Sequence, residues 1–119
     1  MAKYASGYRR GLARYHDKVL TCYATVKRYG EMKLKHLNTS VITQTLLLKN
    51  IFTRTGEMLA DHVWIPLSDR IRDLDLRHGD QILFTGRVVS YRKGRQLEMT
   101  DYHFTGIDDC RKVDKIQLY

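Results

Sequence analysis

Gly79-Asp80-Gln81-Ile82-Leu83-Phe84-Thr85-Gly86-Arg87-Val88 is the stretch that decides the fold of this chain. His78-Gly79-Asp80 is a turn signal, and from Gln81 onward Ile82, Phe84 and Val88 oppose Thr85, Arg87 and Tyr91, the period-two pattern of a half-buried strand over residues 81–91. Gly86 falls where a strongly bent strand needs no side chain. Immediately upstream the period changes. Leu67, Ile71 and Leu74, with Ser68 as N-cap and Asp69 in the first turn, predict one amphipathic helix of about two or three turns within residues 67–77. Pro66 cannot donate to a ladder and ends the strand before the helix, residues 57–65. Thr55-Gly56 joins that strand to residues 41–54 as a hairpin, within which Leu46-Leu47-Leu48 is too continuous to assign faces. A first strand covers residues 19–29, with Leu20, Cys22, Ala24 and Val26 on one face and Thr21, Tyr23, Thr25, Lys27 and Tyr29 on the other. The polar, basic run GEMKLKHLN, residues 30–38, predicts a loop. Downstream, Arg92-Lys93-Gly94-Arg95 forms a basic hairpin tip. The fifth strand follows over residues 96–105, its apolar positions Leu97, Met99, Tyr102 and Phe104 changing parity as at a bulge.

The order β-β-β-α-β-β carries more apolar positions than an open sheet can cover, so the expected architecture is all-β: a five-stranded barrel with one short helix plugging an end, the order of an OB-fold. Residues 17–106 are the expected OB-fold domain. Residues 1–16, MAKYASGYRRGLARYH, hold four basic residues and no acid, and predict a flexible basic arm. Residues 107–119 predict a C-terminal extension with Val113, Ile116 and Leu118 available to pack. At 119 residues the chain has room for a single domain whose core is too small to enclose a large catalytic cavity as well. It contains no apolar run long enough to span a bilayer and no export signal, so a soluble cytoplasmic protein without membrane association is expected.

Charge points to the partner. The chain has a formal net charge of +8, and nine basic residues against two acidic ones fall within the first 35 positions, a local +7. A surplus gathered at one end favours a polyanion-binding surface over mere solubility. Two segments that an OB-fold brings to either side of its binding face, the connections between strands one and two and between strands four and five, are both basic. The first carries Arg28, Lys33, Lys35 and His36; the second carries Arg92, Lys93 and Arg95. Tyrosines flank both: Tyr29 opens the first, Tyr91 the second, and Tyr23 shares the outward face of strand one with Lys27. Arg87 adds a cation on the fourth strand, and Arg9, Arg10 and Arg14 in the arm alternate with Tyr4, Tyr8 and Tyr15. Cations for phosphates beside exposed rings for base stacking are what single-stranded nucleic acid requires. Strand alternation turns Trp64 outward onto this face, yet a single Trp in a small domain equally serves as a core anchor, and both assignments stay open. Phe52, Phe84, Tyr102 and Phe104 are expected in the core.

Residues 46–94 resemble small OB-fold proteins of bacteria, their phages and mobile elements, especially in Ala60-Asp61-His62-Val63-Trp64-Ile65 and in the Gly79 to Val88 run. The resemblance implies a single-stranded nucleic-acid binder, and the expected function is a sequence-tolerant single-stranded DNA-binding protein acting in replication, recombination or transfer in a bacterial or phage-infected cell. Homo-oligomers and replication or recombination proteins are further partner classes. A single-stranded RNA-binding module and a protein-assembly subunit are the alternatives.

Nothing predicts catalysis, a cofactor or a metal. Asp61 and His62 are adjacent in a strand and are expected on opposite faces. His16, His36, His78 and His103 lack metal-ligand spacing, and the acids Asp69, Asp73, Asp75 and Asp80 are matched around the helix by Arg70, Arg72 and Arg77. Cys22 and Cys110 are expected as free thiols, Cys22 as a small buried hydrophobe.

Overall fold

A computed structural model describes residues 10–36, 39–93 and 99–118. Its elements are α1 (Arg10–Ala13), β1 (Val19–His36), β2 (Thr39–Thr53), β3 (Met58–Pro66), α2 (Asp69–Arg72), β4 (Gln81–Lys93) and β5 (Met99–Val113). The five strands form a single antiparallel sheet in the order β3-β2-β1-β4-β5. β1 pairs with β2 on one side and, over Val19–Thr25, with β4 on the other, and therefore joins the β2–β3 pair to the β4–β5 pair. Among the described residues no helix is long and apolar enough to cross a membrane.

The alternation expected in β1 holds up to Val26: Cys22, Ala24 and Val26 are fully buried, and Leu20 packs against them. Leu46, Leu48, Ile51, Val63, Ile65, Ile82 and Phe84 complete one side of the core, with Phe84 and Phe104 meeting edge to face at 5.0 Å. Such ring pairs contribute about 0.5–1.5 kcal/mol beyond area burial. Gly86 is buried against Phe104 and Ile107, and an added Cβ would come within 2.8 Å of the Ile107 side chain. Its lack of a side chain therefore leaves room over β4 for the Phe104 and Ile107 side chains of β5. Of the four aromatics expected in the core, Phe84 and Phe104 are buried, whereas Phe52 and Tyr102 are only half-covered.

Several expected boundaries differ. Residues 30–36 are strand, not loop: Gly30 to His36 pair with Thr45 to Thr39, so the first connection is a projecting two-stranded ribbon. Its polarity misled because both faces meet solvent at residues 31–33 and 40–42, leaving no core-facing stripe there to register; Met32, Val41 and Ile42 are all exposed. The helix is a single turn, although Ser68 caps it as expected by accepting the Ile71 amide at 3.2 Å. β5 runs on to Val113, so residues 107–113 belong to the sheet and not to an extension. Its irregularity falls at residues 105–111, beyond the apolar run, where Gly106 and Asp109 adopt φ of 59° and 38°.

The barrel does not close. β3 and β5 remain the edges of the sheet, and α1 packs against both. Here the flexible arm is corrected from residue 10 onward. Leu12 is fully buried in the core, and Gly11 lies so close to β3 that a Cβ would stand 2.7 Å from the Leu59 Cα. Arg14 pairs with Glu57 at 2.8 Å, and the Tyr15 hydroxyl donates to the same carboxylate at 2.6 Å. An isolated leucine among basic and small residues has no periodicity, so the sequence held no signal of this docking.

Leu12→Ala should therefore lower stability by about 2–5 kcal/mol. Urea denaturation followed by Trp64 fluorescence checks this; an unchanged midpoint would mean that the turn is not part of the core.

Candidate nucleic-acid interface

The outward face of β1, β2 and β3 is ordered by register. Thr25, Lys49 and His62 form one cross-strand row, Arg28, Leu47 and Trp64 the next, and Gly30, Thr45 and Pro66 the third. Trp64 stands at its centre. Its neighbours Val63 and Ile65 are fully buried while the indole is half-buried and outside the core, so strand alternation decides the question that composition left open. The Arg28 guanidinium lies 5.0 Å from the ring centroid, within cation–π range. Gly30 presses against the other part of the ring: a Cβ there would sit 2.6 Å from an indole carbon.

Trp64 forms a wall of two neighbouring depressions. One, of about 450 Å³, is lined by Lys27, Arg28, Lys49, Asp61 and His62, and is mainly basic. The other, of about 580 Å³, is a cleft between the β1–β2 ribbon, which contributes Glu31, Met32 and Thr43, and the β4–β5 hairpin, which contributes Tyr91 and His103. Tyr91 and His103 stack with centroids 4.6 Å apart and planes at 22°. The Tyr91 hydroxyl donates to the buried Asp101 carboxylate at 3.2 Å, which fixes the ring's edge. From the sequence His103 was weighed only as a metal ligand, and Met32 was not considered as a site residue. Alternation with the apolar Tyr102 and Phe104 would have turned His103 outward, whereas Met32 was hidden in the supposed loop.

No protein-family model, curated protein or solved structure matches this chain.

Of the expected site residues, Lys27, Arg28, Trp64 and Tyr91 come together, joined by Lys49. Others are placed elsewhere. Tyr23 is only 3% exposed: its ring packs on Phe52, its hydroxyl donates to the Gln117 carbonyl at 2.9 Å, and the C-terminal tail covers it. It cannot present a face to a base in this arrangement. Tyr29 donates its hydroxyl to the Leu76 carbonyl at 2.6 Å and lines a separate depression with Arg72 and Asp75. The cause is the irregular β1–β2 register between Val26 and Arg28, which reverses the faces beyond Lys27. Arg87 donates to the Asp17 carbonyl at 2.6 Å, and Arg14 is held by Glu57. Lys33 is exposed on the ribbon. Arg9 and Arg95, and the side chains of Arg10, Lys35, Arg92 and Lys93, lie outside the described residues.

Asp61 and His62 do not stay on opposite faces as expected: their carboxylate and imidazole meet at 2.8 Å along the border of the basic depression. Cys22 and Cys110 are free and buried. Burial pushes the Cys22 thiol up to about 12, and burial together with the Asp109 carboxylate pushes Cys110 up to about 11. The fold therefore favours the protonated thiols. Their contribution to stability is complete below the ordinary thiol range and is lost as pH rises through it towards these values.

Two outcomes follow. In the native protein neither cysteine should react with a thiol reagent at about pH 8, and both should react in denaturant, because the thiolate is the reactive species. Gly30→Ala should force the indole from its position, seen as a shift in the emission of the protein's single Trp with the circular dichroism unchanged.

Proposed function

We infer that this chain is a sequence-tolerant single-stranded DNA-binding protein built on an OB-fold. Its strand order is that of a five-stranded OB barrel whose seam between the third and fifth strands is left unpaired, and such barrels bind across the face of strands two and three between the two flanking connections. The observation that carries the inference is the position of Trp64, between a basic depression and an aromatic cleft flanked by two hairpins. Lys27, Arg28 and Lys49 supply cations for a phosphate track, while Trp64 and Tyr91 supply faces on which bases stack. The resemblance of residues 46–94 supports single-stranded nucleic-acid binding, and the inferred strand is DNA, handled in replication, recombination or transfer in the cytoplasm of a bacterial or phage-infected cell. A second reading is favoured by the exposed Met32, Val41 and Ile42 on the ribbon, which suit a protein-assembly module.

Labelled single-stranded DNA should bind at low ionic strength, quench Trp64 and lose affinity steeply with salt, while duplex DNA binds more weakly. Arg28→Ala and Lys49→Ala should each flatten the log–log salt dependence by about 0.7 per phosphate contact removed. Trp64→Ala should cost about 1–3 kcal/mol of binding if a base stacks there. Tighter binding of the matching RNA would transfer the assignment to RNA. Absence of binding at low salt would sink the inference and leave the assembly module.

A further inference from the structure

The Asp61–His62 pair borders the basic depression, yet the phosphate track of Lys27, Arg28 and Lys49 makes no use of it. His62 shares the outward face of β3 with Trp64 and stands opposite Lys49 in the β2–β3 register. Both members of the pair line the depression, where the charged or titratable groups among the described residues are Lys27 and Arg28 from β1, Lys49 from β2, and Asp61 and His62 from β3. The Asp61 Oδ1 lies 2.8 Å from the His62 Nδ1, and the two side chains are 51% and 32% exposed, so both a ligand and a proton can reach them.

A carboxylate only accepts hydrogen bonds, so Nδ1 carries the hydrogen and a further proton enters at Nε2. Histidine is the side chain whose charge ordinarily changes between about pH 5 and 8, a range in which lysine, arginine and a phosphodiester keep theirs. With the imidazole neutral, the pair sets an uncompensated carboxylate beside the phosphate track. With the imidazolium, the pair is neutral and offers a second N–H to a phosphate oxygen. Three cations around the free pair oppose a further positive charge, and a phosphodiester drawn among them supplies the negative charge that favours it. Binding and protonation therefore strengthen each other, by one and the same factor. We propose that His62 is a further phosphate-binding residue, used as the imidazolium with Asp61 orienting its ring, so that the protein takes up a proton as it takes up a strand. The proposal rests on the single-strand function inferred for the same face. It makes the grip on DNA depend on pH in the neutral range.

The test uses the full chain and a rhodamine-labelled thymidine nonamer, whose bases keep their charge between about pH 5.5 and 8, at one low ionic strength. Affinity should be about fivefold higher at the acid end of that range, the worth of one unit charge about 4 Å from a phosphate in water. H62Q, which keeps a polar side chain that does not titrate, should bind at both ends as the unchanged protein does at the alkaline end. D61N, which removes the carboxylate without adding a charge, should bind tighter than the unchanged protein at the alkaline end. Calorimetry of the unchanged protein in two buffers of different ionisation enthalpy should show net proton uptake on binding near neutral pH, a readout that needs no variant to fold. Equal affinity at both ends, with no proton uptake, would overturn the proposal. So would an H62Q variant that keeps the full pH response, since another histidine would then be its source, or a D61N variant that binds no tighter. If the strand binds at neither end at low salt, the failure lies with the single-strand function itself, and the proposal falls with it.

Discussion

The irregular pairing of β1 around Lys27 is the constraint on which the rest of the molecule depends. Up to Val26 the strand is tied to β2 and β4 and buries its even-numbered residues. At Val26 its backbone leaves β4 and is caught by the following turn: the Val26 amide donates to Asp80, and the Gly79 amide donates to Val26, both at 2.8 Å. One residue is then passed over in the ladder with β2, and the faces exchange. Arg28 thereby turns over Trp64, Gly30 makes room for the indole, and Tyr29 turns away to pin Leu76. A regular strand would have set Tyr29 and Lys27 beside Trp64 and driven Arg28 towards the core.

That displacement also explains what was and was not legible in the sequence. The strands around Ile82 and Val63, the Thr55-Gly56 turn and the Ser68 cap rest on local rules, namely period-two burial, a glycine at φ 94° and a side-chain oxygen at a helix start. Each survives because few neighbours are needed to enforce it. Tyr29 was misplaced because a bulge leaves no mark on composition. Tyr23 was misplaced because what covers it lies 94 residues away. The aromatic cleft was only half legible: Tyr91 stood out beside basic residues, while His103 and Met32 become neighbours of Trp64 only through the curl of the sheet.

The open seam shows how a small sheet manages two exposed edges without a complete ladder. Edge strands invite pairing with other chains, and proteins cover them with a helix or loop. Here Leu12 and Gly11 do so. The turn that carries them is anchored in turn by Glu57, which takes both the Arg14 guanidinium and the Tyr15 hydroxyl. The hydrogen bond to this carboxylate also raises the Tyr15 phenol above its ordinary value, so the anchoring proton stays in place. Part of the basic charge that suggested a free arm is thus spent on an internal contact.

The covering of Tyr23 by Gln117 carries a consequence for how the chain reaches this state. Contacts that join residues far apart in sequence require closing long loops before they repay the entropy of closure, and they slow folding. β1 lies early in the chain and is flanked by β2 and β4, yet its outward face is finished only when the segment after β5 crosses it. The burial of Tyr23 therefore depends on a contact that closes 94 residues of chain, a long-range closure of the kind that slows folding.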